Sequence, residues 1–212
     1  MNTSNYPKIM GISRHRMGSD GKGVSTLVTF WGCPLHCKYC INDFCHDEKL
    51  RCIRISPEKL YERLVVDDIY YRMSQGGIVF GGGEPLLQSE YIGETVKLFP
   101  AAWKIRIETS LNVEWRQIEL LIPFVNLWII DIKDMNPIIY KMYTELTNER
   151  VTKNLEELSS YATAEKIFIR IPNIPKYNTE NDVNRSLELV RKYGKAEIFT
   201  YKLIGEYKRI FQ

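Results

Sequence analysis

The sequence holds no run of about 18 apolar residues, the length a helix needs to cross a bilayer, so no membrane span is predicted. Residues 1–8 are polar and carry no apolar signal core, and a cytoplasmic protein is expected. Charge of one sign is scarce too. A net charge of +3 is too small to point to nucleic acid. Linkers rich in Pro, Gly or Ser, low-complexity tracts and sequence repeats are all missing. Cysteine is absent outside the short stretch from Cys33 to Cys52, which holds all five. A disulfide framework spreads its cysteines and pairs them, so an odd, clustered set argues against one. Reduced, metal-binding thiols in a reducing compartment fit better.

What is present suits one soluble domain with a full core: 212 residues, 44% apolar and 26% charged. Residues 1–212 are read as a single domain, with 1–20 as an N-terminal extension. Strand-length apolar runs at 24–31, 77–80, 104–109, 126–133, 166–171 and 196–203 alternate with amphipathic helix-length segments at 57–74, 89–99, 113–122, 137–146, 151–162 and 180–193. Ser56 before Pro57 reads as an N-cap and first-turn pair. Thr179 with Asp182 reads as a capping box, and Gly194 suits a helix C′ position. The alternation predicts a parallel sheet with right-handed crossovers.

Side chains alternate faces along a strand. In the third strand Ile105, Ile107 and Thr109 share one face, and Arg106, Glu108 and Ser110 the other. In the fourth, Ile130 and Ile132 oppose Ile129, Asp131 and Lys133. Arg170 opposes Ile169 and Ile171, and Thr200 and Lys202 share a face. Parallel strands covered on both sides read apolar on both. Here one face is repeatedly polar, which predicts an open, curved α/β sheet of about six strands with a polar, ligand-lined concave face. Solvated charges on an edge-exposed sheet are the alternative.

Directly after the first of these strands comes Trp31-Gly32-Cys33-Pro34-Leu35-His36-Cys37-Lys38-Tyr39-Cys40, with cysteines spaced C-x3-C-x2-C. Strand C-terminal ends are where α/β folds bind ligands. A [4Fe–4S] cluster normally takes four thiolates, so three in a tight run leave one iron open to a small molecule. On spacing alone, a zinc site completed by Cys45, His36, His46 or Cys52 stays open, as does a ferredoxin-type cluster with Cys45 or Cys52 as fourth ligand. The second strand ends in Gly81-Gly82-Gly83-Glu84-Pro85, whose glycines let backbone approach a ligand closely.

Cys33, Cys37, Tyr39 and Cys40, followed by Gly82-Gly83-Glu84, resemble the signature of the radical S-adenosylmethionine (SAM) superfamily. The resemblance implies a partial (β/α)6 barrel with one [4Fe–4S] cluster on Cys33, Cys37 and Cys40, whose open iron chelates SAM. It places Gly82, Gly83 and Glu84 at the SAM amino group, and Tyr39 and Ile41 beside the adenine. Within the superfamily the chain is most similar to the glycyl radical enzyme activating enzymes, of the pyruvate formate-lyase activating type. Asp20-Gly21-x-Gly23, Trp31-Gly32-Cys33, Asp131-Ile132-Lys133-Asp134-Met135 and Ile169-Arg170-Ile171-Pro172 carry that similarity. It implies that Lys133 binds the SAM carboxylate and that Arg170 faces the cofactor. The segment Glu108-Thr109-Ser110-Leu111 stands where the family has D-T-N-G. Glu108 and Asp131 are therefore candidates for a monovalent cation site near SAM, and Ser110 for a cofactor contact. Lys202 stands where the family often has histidine, and the chain ends at Gln212, earlier than is usual.

The implied reaction is reductive cleavage of SAM to a 5′-deoxyadenosyl radical, which abstracts a hydrogen atom from a glycine of a glycyl radical enzyme under anaerobic conditions. A flavodoxin- or ferredoxin-type protein is the expected reductant, and a protein or peptide the expected substrate, with no nucleic-acid or membrane partner. Two alternatives accompany it. One is a peptide-modifying radical SAM enzyme, an epimerase or cross-linking enzyme, for which Cys45 is a candidate hydrogen donor. The other is a non-catalytic iron–sulfur or zinc module. Salt-bridge readings compete for Arg170 (with Glu108) and Lys133 (with Asp131), a core reading for Tyr39, and buried or free thiols for Cys45 and Cys52. Arg14, His15 and Arg16 read as a solvated basic face.

Overall fold

A computed structural model describes residues 5–200. Lys202 and the last positions of the strand expected at 196–203 lie outside them.

Among the described residues, seven strands form one sheet in which spatial order equals chain order. They are β1 (Ile9–Met17), β2 (Val24–Phe30), β3 (Gly77–Gly82), β4 (Lys104–Thr109), β5 (Leu127–Asp131), β6 (Ile167–Asn173) and β7 (Lys195–Thr200). From β2 to β7 every pairing is parallel, as the strand–helix alternation predicts. The added element is β1, which pairs antiparallel with β2 from within the segment read as an extension. Two register shifts interrupt that pairing, and His15 sits in the left-handed region at φ 57°. Such bulges twist an edge strand and blur its period-two pattern.

Arg14 and His15 are exposed, as a solvated face requires, but the basic run is also paired. Arg14 clasps the buried Asp67 with Nε at 2.6 Å and Nη2 at 2.5 Å, and His15 Nε2 lies 3.0 Å from the same carboxylate. Arg16 takes Asp20 in the same forked way, at 2.6 and 2.7 Å. The Asp67 clasp coincides with a break in the helical segment at 57–74, which becomes α1 (Pro57–Leu64), a 3-10 turn (Val65–Asp67) and α2 (Asp68–Ser74).

The other helices are α3 (Ser89–Val96), α4 (Trp115–Glu119), α5 (Pro137–Thr144), α6 (Glu149–Tyr161) and α7 (Glu180–Val190). Ser56 accepts from Lys59 N, and Thr179 with Asp182 forms a complete capping box. Gly194 lies beyond the α7 end at Arg191. There a Cβ would strike the Ile167 carbonyl and side chain, so close approach to β6 explains this glycine rather than helix termination.

The apolar faces of the strands (Ile78, Phe80, Ile107, Ile130, Ile169 and Ile171) pack with helix residues such as Leu60, Ile92, Leu155 and Val183 into one core. Fully burying each such side chain contributes about 1.5–3 kcal/mol. Facing away are Leu27, Thr29, Glu108, Asp131 and Arg170, which line a concave cavity. Arg106 shares their parity but lies under the floor, where it donates to the Lys22 carbonyl.

The loop after β4 carries part of this lining, and α6 holds it. Leu111, buried at φ 59°, turns the chain, and Asn154 Nδ2 donates to both Leu111 O and Val113 O at 2.8 Å. Replacing Asn154 by Ala strands two carbonyls and is expected to cost about 1–3 kcal/mol in urea unfolding. Asn154→Asp should cost more than Asn154→Ala, because a carboxylate would face both carbonyl oxygens.

Candidate active site

The cysteine loop leaves the C-terminal end of β2 and is fixed on both sides. His36 N and Lys38 N donate to the last carbonyls of α5, Thr144 O and Tyr143 O, at 3.1 Å. Gly32 N donates to Cys45 O at 3.0 Å, and Cys40 N closes a turn on Cys37 O at 3.2 Å. The result is that Cys33, Cys37 and Cys40, all partly buried, line one end of a cavity of about 1020 Å³. Small-molecule pockets run to about 1,000 Å³, so this one has room for a large ligand.

Against the cysteine loop lies the glycine run. Gly83 N donates to Phe30 O at 2.9 Å and Glu84 N to Gly32 O at 2.8 Å, so two consecutive amides hold the loops after β2 and β3 together. Gly82 sits at φ 100°, and a Cβ there would come 2.7 Å from Thr29 Cβ; one on Gly83 would overlap the Gly32 carbonyl. Asn42 Nδ2 donates to Gly82 O at 2.9 Å.

The Glu84 side chain is buried, and both its oxygens are engaged. Thr109 Oγ1 donates to one at 2.7 Å; Ser110 N and Ser110 Oγ donate to the other at 2.9 and 2.7 Å. Burial pushes its carboxyl above the ordinary range despite these donors. Its carboxylate therefore joins the β3 loop to the end of β4, and Ser110 serves that joint.

Charges of both signs occupy the adjoining concave face. Lys133 Nζ lies 3.3 Å from Asp131 Oδ2. Arg170 donates from Nε to Asp131 Oδ1 at 2.7 Å and from Nη2 to Glu108 Oε1. Burial alone would raise the Asp131 carboxyl; Lys133 and Arg170 more than offset it and hold the group below its usual value. Burial likewise opposes the charge on Arg170, and Asp131 and Glu108 raise its pKa. The salt-bridge readings of both basic residues are thus realised, on the cavity wall.

Other expected residues fall as follows. Ile41 lines the cavity and is 59% exposed. Tyr39 is not part of the lining; its ring packs edge-on against Tyr143 and Tyr177, with centroids at 6.2 and 5.6 Å. Cys45 is fully buried and lines the same cavity as the three motif cysteines, whereas Cys52 does not. His36 stacks on His46 at 4.4 Å, outside the lining. Sequence reasoning missed Arg16, Thr29, Asn42 and Glu197, which also line it. The i, i+4 spacing of Arg16 and Asp20 was the one available signal, for a salt bridge rather than for the cavity.

Among the described residues no three His, Cys, Asp or Glu groups converge as ligands of a single ion. The donor set suits a larger group: three thiols on one loop, with the glycine run packed so closely on β2 and that loop that a Cβ on Gly82 or Gly83 would strike Thr29 or the Gly32 carbonyl. Burial pushes the Cys37 and Cys45 thiols up to about 11 and raises Cys33 further. Bound iron carries the positive charge that reverses this and takes the thiolate form. Soft thiolates suit an iron–sulfur cluster, and the mixed charges beside them suit an amino acid's ammonium and carboxylate.

Comparison with known proteins agrees. Residues 27–198 match the Radical SAM superfamily model, and the chain belongs to that superfamily. Within it, the chain is similar to activating enzymes of glycyl radical enzymes. It is 41% identical over 166 residues to the (2S)-3-sulfopropanediol dehydratase activating enzyme of Klebsiella oxytoca, a match covering 73% of this chain and half the length of that relative. It is 27% identical over 199 residues to the pyruvate formate-lyase 1-activating enzyme of Escherichia coli K12, covering 89% of this chain and 78% of the other. In fold it is similar to Streptococcus suis SuiB bound to precursor peptide SuiA, with TM-score 0.66, 14% identity, and coverage of 87% of this chain and 41% of the other.

Truncating Glu84 to Ala removes the acceptor for four buried donors, Leu86 N among them, and is expected to cost about 2–4 kcal/mol, read as a lowered urea midpoint. Glu84→Gln keeps one oxygen acceptor and should lose less than half as much.

Proposed function

We propose that this chain is the activating component for a glycyl radical enzyme. The observation that carries the reading is the meeting, in one cavity, of Cys33, Cys37 and Cys40 with the Gly82–Gly83 backbone and the Asp131–Lys133 pair. The 41% identity to an activating enzyme supports the same assignment.

Cys33, Cys37 and Cys40 would hold a [4Fe–4S] cluster, and Gly82, Gly83, Lys133 and Ile41 would contact SAM. When bound, the reduced cluster and SAM would supply one-electron reductive cleavage and hydrogen-atom abstraction from the substrate. The chain's own residues bind, orient and shield. Backbone of the glycine run, which lines the cavity, would hold the ammonium end of the cofactor. Lys133 Nζ, a flexible point charge, would hold the carboxylate end, with Asp131 as its partner on the cavity wall. Glu84 holds the loops after β3 and β4 in register. Tyr39 acts through packing, since its ring stabilises the cysteine loop against Tyr143 and Tyr177. The substrate is a glycine Cα on a partner protein, and the electron comes from a flavodoxin- or ferredoxin-type carrier. Closure of the cavity mouth by that partner would exclude water and stray hydrogen donors.

Cys45, buried in the same lining, favours one second reading: a peptide-modifying enzyme in which this thiol returns a hydrogen atom. Cys45→Ala separates the two, because activation of a glycyl radical enzyme has no step that needs it.

Reconstituted protein reduced with dithionite is expected to convert SAM to 5′-deoxyadenosine and methionine. Adding a candidate glycyl radical enzyme should give a doublet electron paramagnetic resonance signal. Each of Cys33→Ala, Cys37→Ala and Cys40→Ala should fail to retain iron and sulfide. No 5′-deoxyadenosine from wild-type protein would overturn the chemistry; 5′-deoxyadenosine without a doublet for any glycyl radical enzyme tested would overturn the activase assignment.

A further inference from the structure

Glu108 and Asp131, two of the carboxylates that line the concave face, need a compensating cation close by. A dissociable monovalent ion is one solution, and the family resemblance leads to that expectation at Glu108 and Asp131. The geometry points to another. We propose that the Arg170 guanidinium is the fixed cation shared by Glu108 and Asp131, spanning the two so that cofactor binding needs no monovalent ion. The inference rests on reading the concave face as the SAM site.

Strand register explains why arginine and glutamate are both required. Asp131 and Arg170 are direct partners across β5 and β6, and Glu197 is the next partner across β7. A short aspartate therefore reaches Arg170 from the neighbouring strand. Glu108 has no such position. Its partner on β5 is Ile129, so its carboxylate must cross a whole strand and shift by two residues to reach β6. Parallel neighbours stand about 4.8 Å apart, so the β4-to-β6 span is about twice that. The extra methylene of glutamate, together with the length of arginine, closes it. An aspartate at position 108 would stop short of the guanidinium and leave its own carboxylate open to a solvent cation, while Arg170 and Lys133 stay on Asp131.

The guanidinium is held in place by more than charge. Its two engaged nitrogens, Nε and Nη2, point to different carboxylates, which fixes the plane of the group. Its Cζ stands 6.0 Å from the Phe199 ring centroid, and the side chain is 19% exposed. Asp131 is shared with Lys133, so the position of Arg170 sets how far Asp131 turns toward the lysine. Arg170 is in these terms a positioning residue, acting on Lys133 through Asp131.

The test is SAM affinity of the cluster-loaded, oxidised protein, measured by equilibrium dialysis at constant ionic strength in potassium, sodium or choline chloride. Wild-type affinity is expected to hold within about twofold across the three salts, because fixed charge is not exchanged with the medium. Glu108→Asp keeps the charge count and the fold, and Arg170→Gln removes the guanidinium. Both should bind SAM about tenfold more weakly in choline and recover most of that in potassium or sodium. Far-ultraviolet circular dichroism checks that both variants are folded. Wild-type binding that needs potassium or sodium would overturn the inference. So would variants that bind as wild type in choline, or whose loss no cation repairs. Failure of wild-type protein to bind SAM in any salt would instead sink the functional reading on which it rests.

Discussion

The site depends on one buried carboxylate. Glu84 accepts from the ends of β4 through Thr109 and Ser110, while its own amide donates to Gly32 in the cysteine loop. Three loops from three consecutive strands are thereby joined through a single residue. A charged group buried in this way is costly unless its lone pairs are filled, and four donors, with Leu86 N at 3.3 Å, fill them. The Gly82–Gly83 backbone can lie bare in the cavity because the next side chain anchors it from behind. The cysteines keep their spacing because the same residue's amide fixes the start of their loop.

Electrostatics on the concave wall follow from strand parity and register. Isoleucines on alternate positions of β4, β5 and β6 enter the core, so the intervening residues must face the cavity whatever their charge. Register then decides who meets whom. Asp131 lies beside Arg170, and Glu108 reaches it only by length. The wall ends with acids and bases balanced in pairs, a surface suited to a zwitterion. Cationic and anionic ends of such a ligand find opposite partners without a net field that would attract unrelated ions.

Much of this was legible in the chain because parallel strands covered by helices leave strong marks: apolar runs of fixed length, caps such as Ser56-Pro57, and turn glycines at strand ends. The cysteine loop, the glycine run, Asp131, Lys133, Arg170 and Glu108 were readable as one layer for the same reason. What escaped was set by contacts distant in sequence. The β1 strand is short of apolar residues, carries Arg14-His15-Arg16 and is bulged, so it lacks a two-residue period; only Asp67 and Asp20, folded next to it, show what those basic residues do. The same Asp67 splits a helix that reads as continuous. Tyr39 lies between two cluster cysteines, and only the fold brings Tyr143 and Tyr177, more than a hundred positions away, against its ring. Glu84 lines the cavity, and only the fold brings Thr109 and Ser110 to its carboxylate.

The sheet's spatial order, identical to its chain order, has a consequence for how the protein is made. Each strand from β2 onward pairs with the one translated just before it, so the sheet can grow by addition at one edge as the polypeptide emerges. Ribosomes deliver about 5–20 residues per second, slow against the microsecond-scale collapse of a helix–strand unit. The cysteine loop is thus held by the glycine run once β3 has docked, and the joint at Glu84 locks when β4 arrives. Lys133 and then Arg170 follow as β5 and β6 are added. The second anchor of the cysteine loop, the α5 carbonyls that take the His36 and Lys38 amides, is made after Lys133 and before Arg170. The cluster loop and the acid–base wall therefore mature together during synthesis.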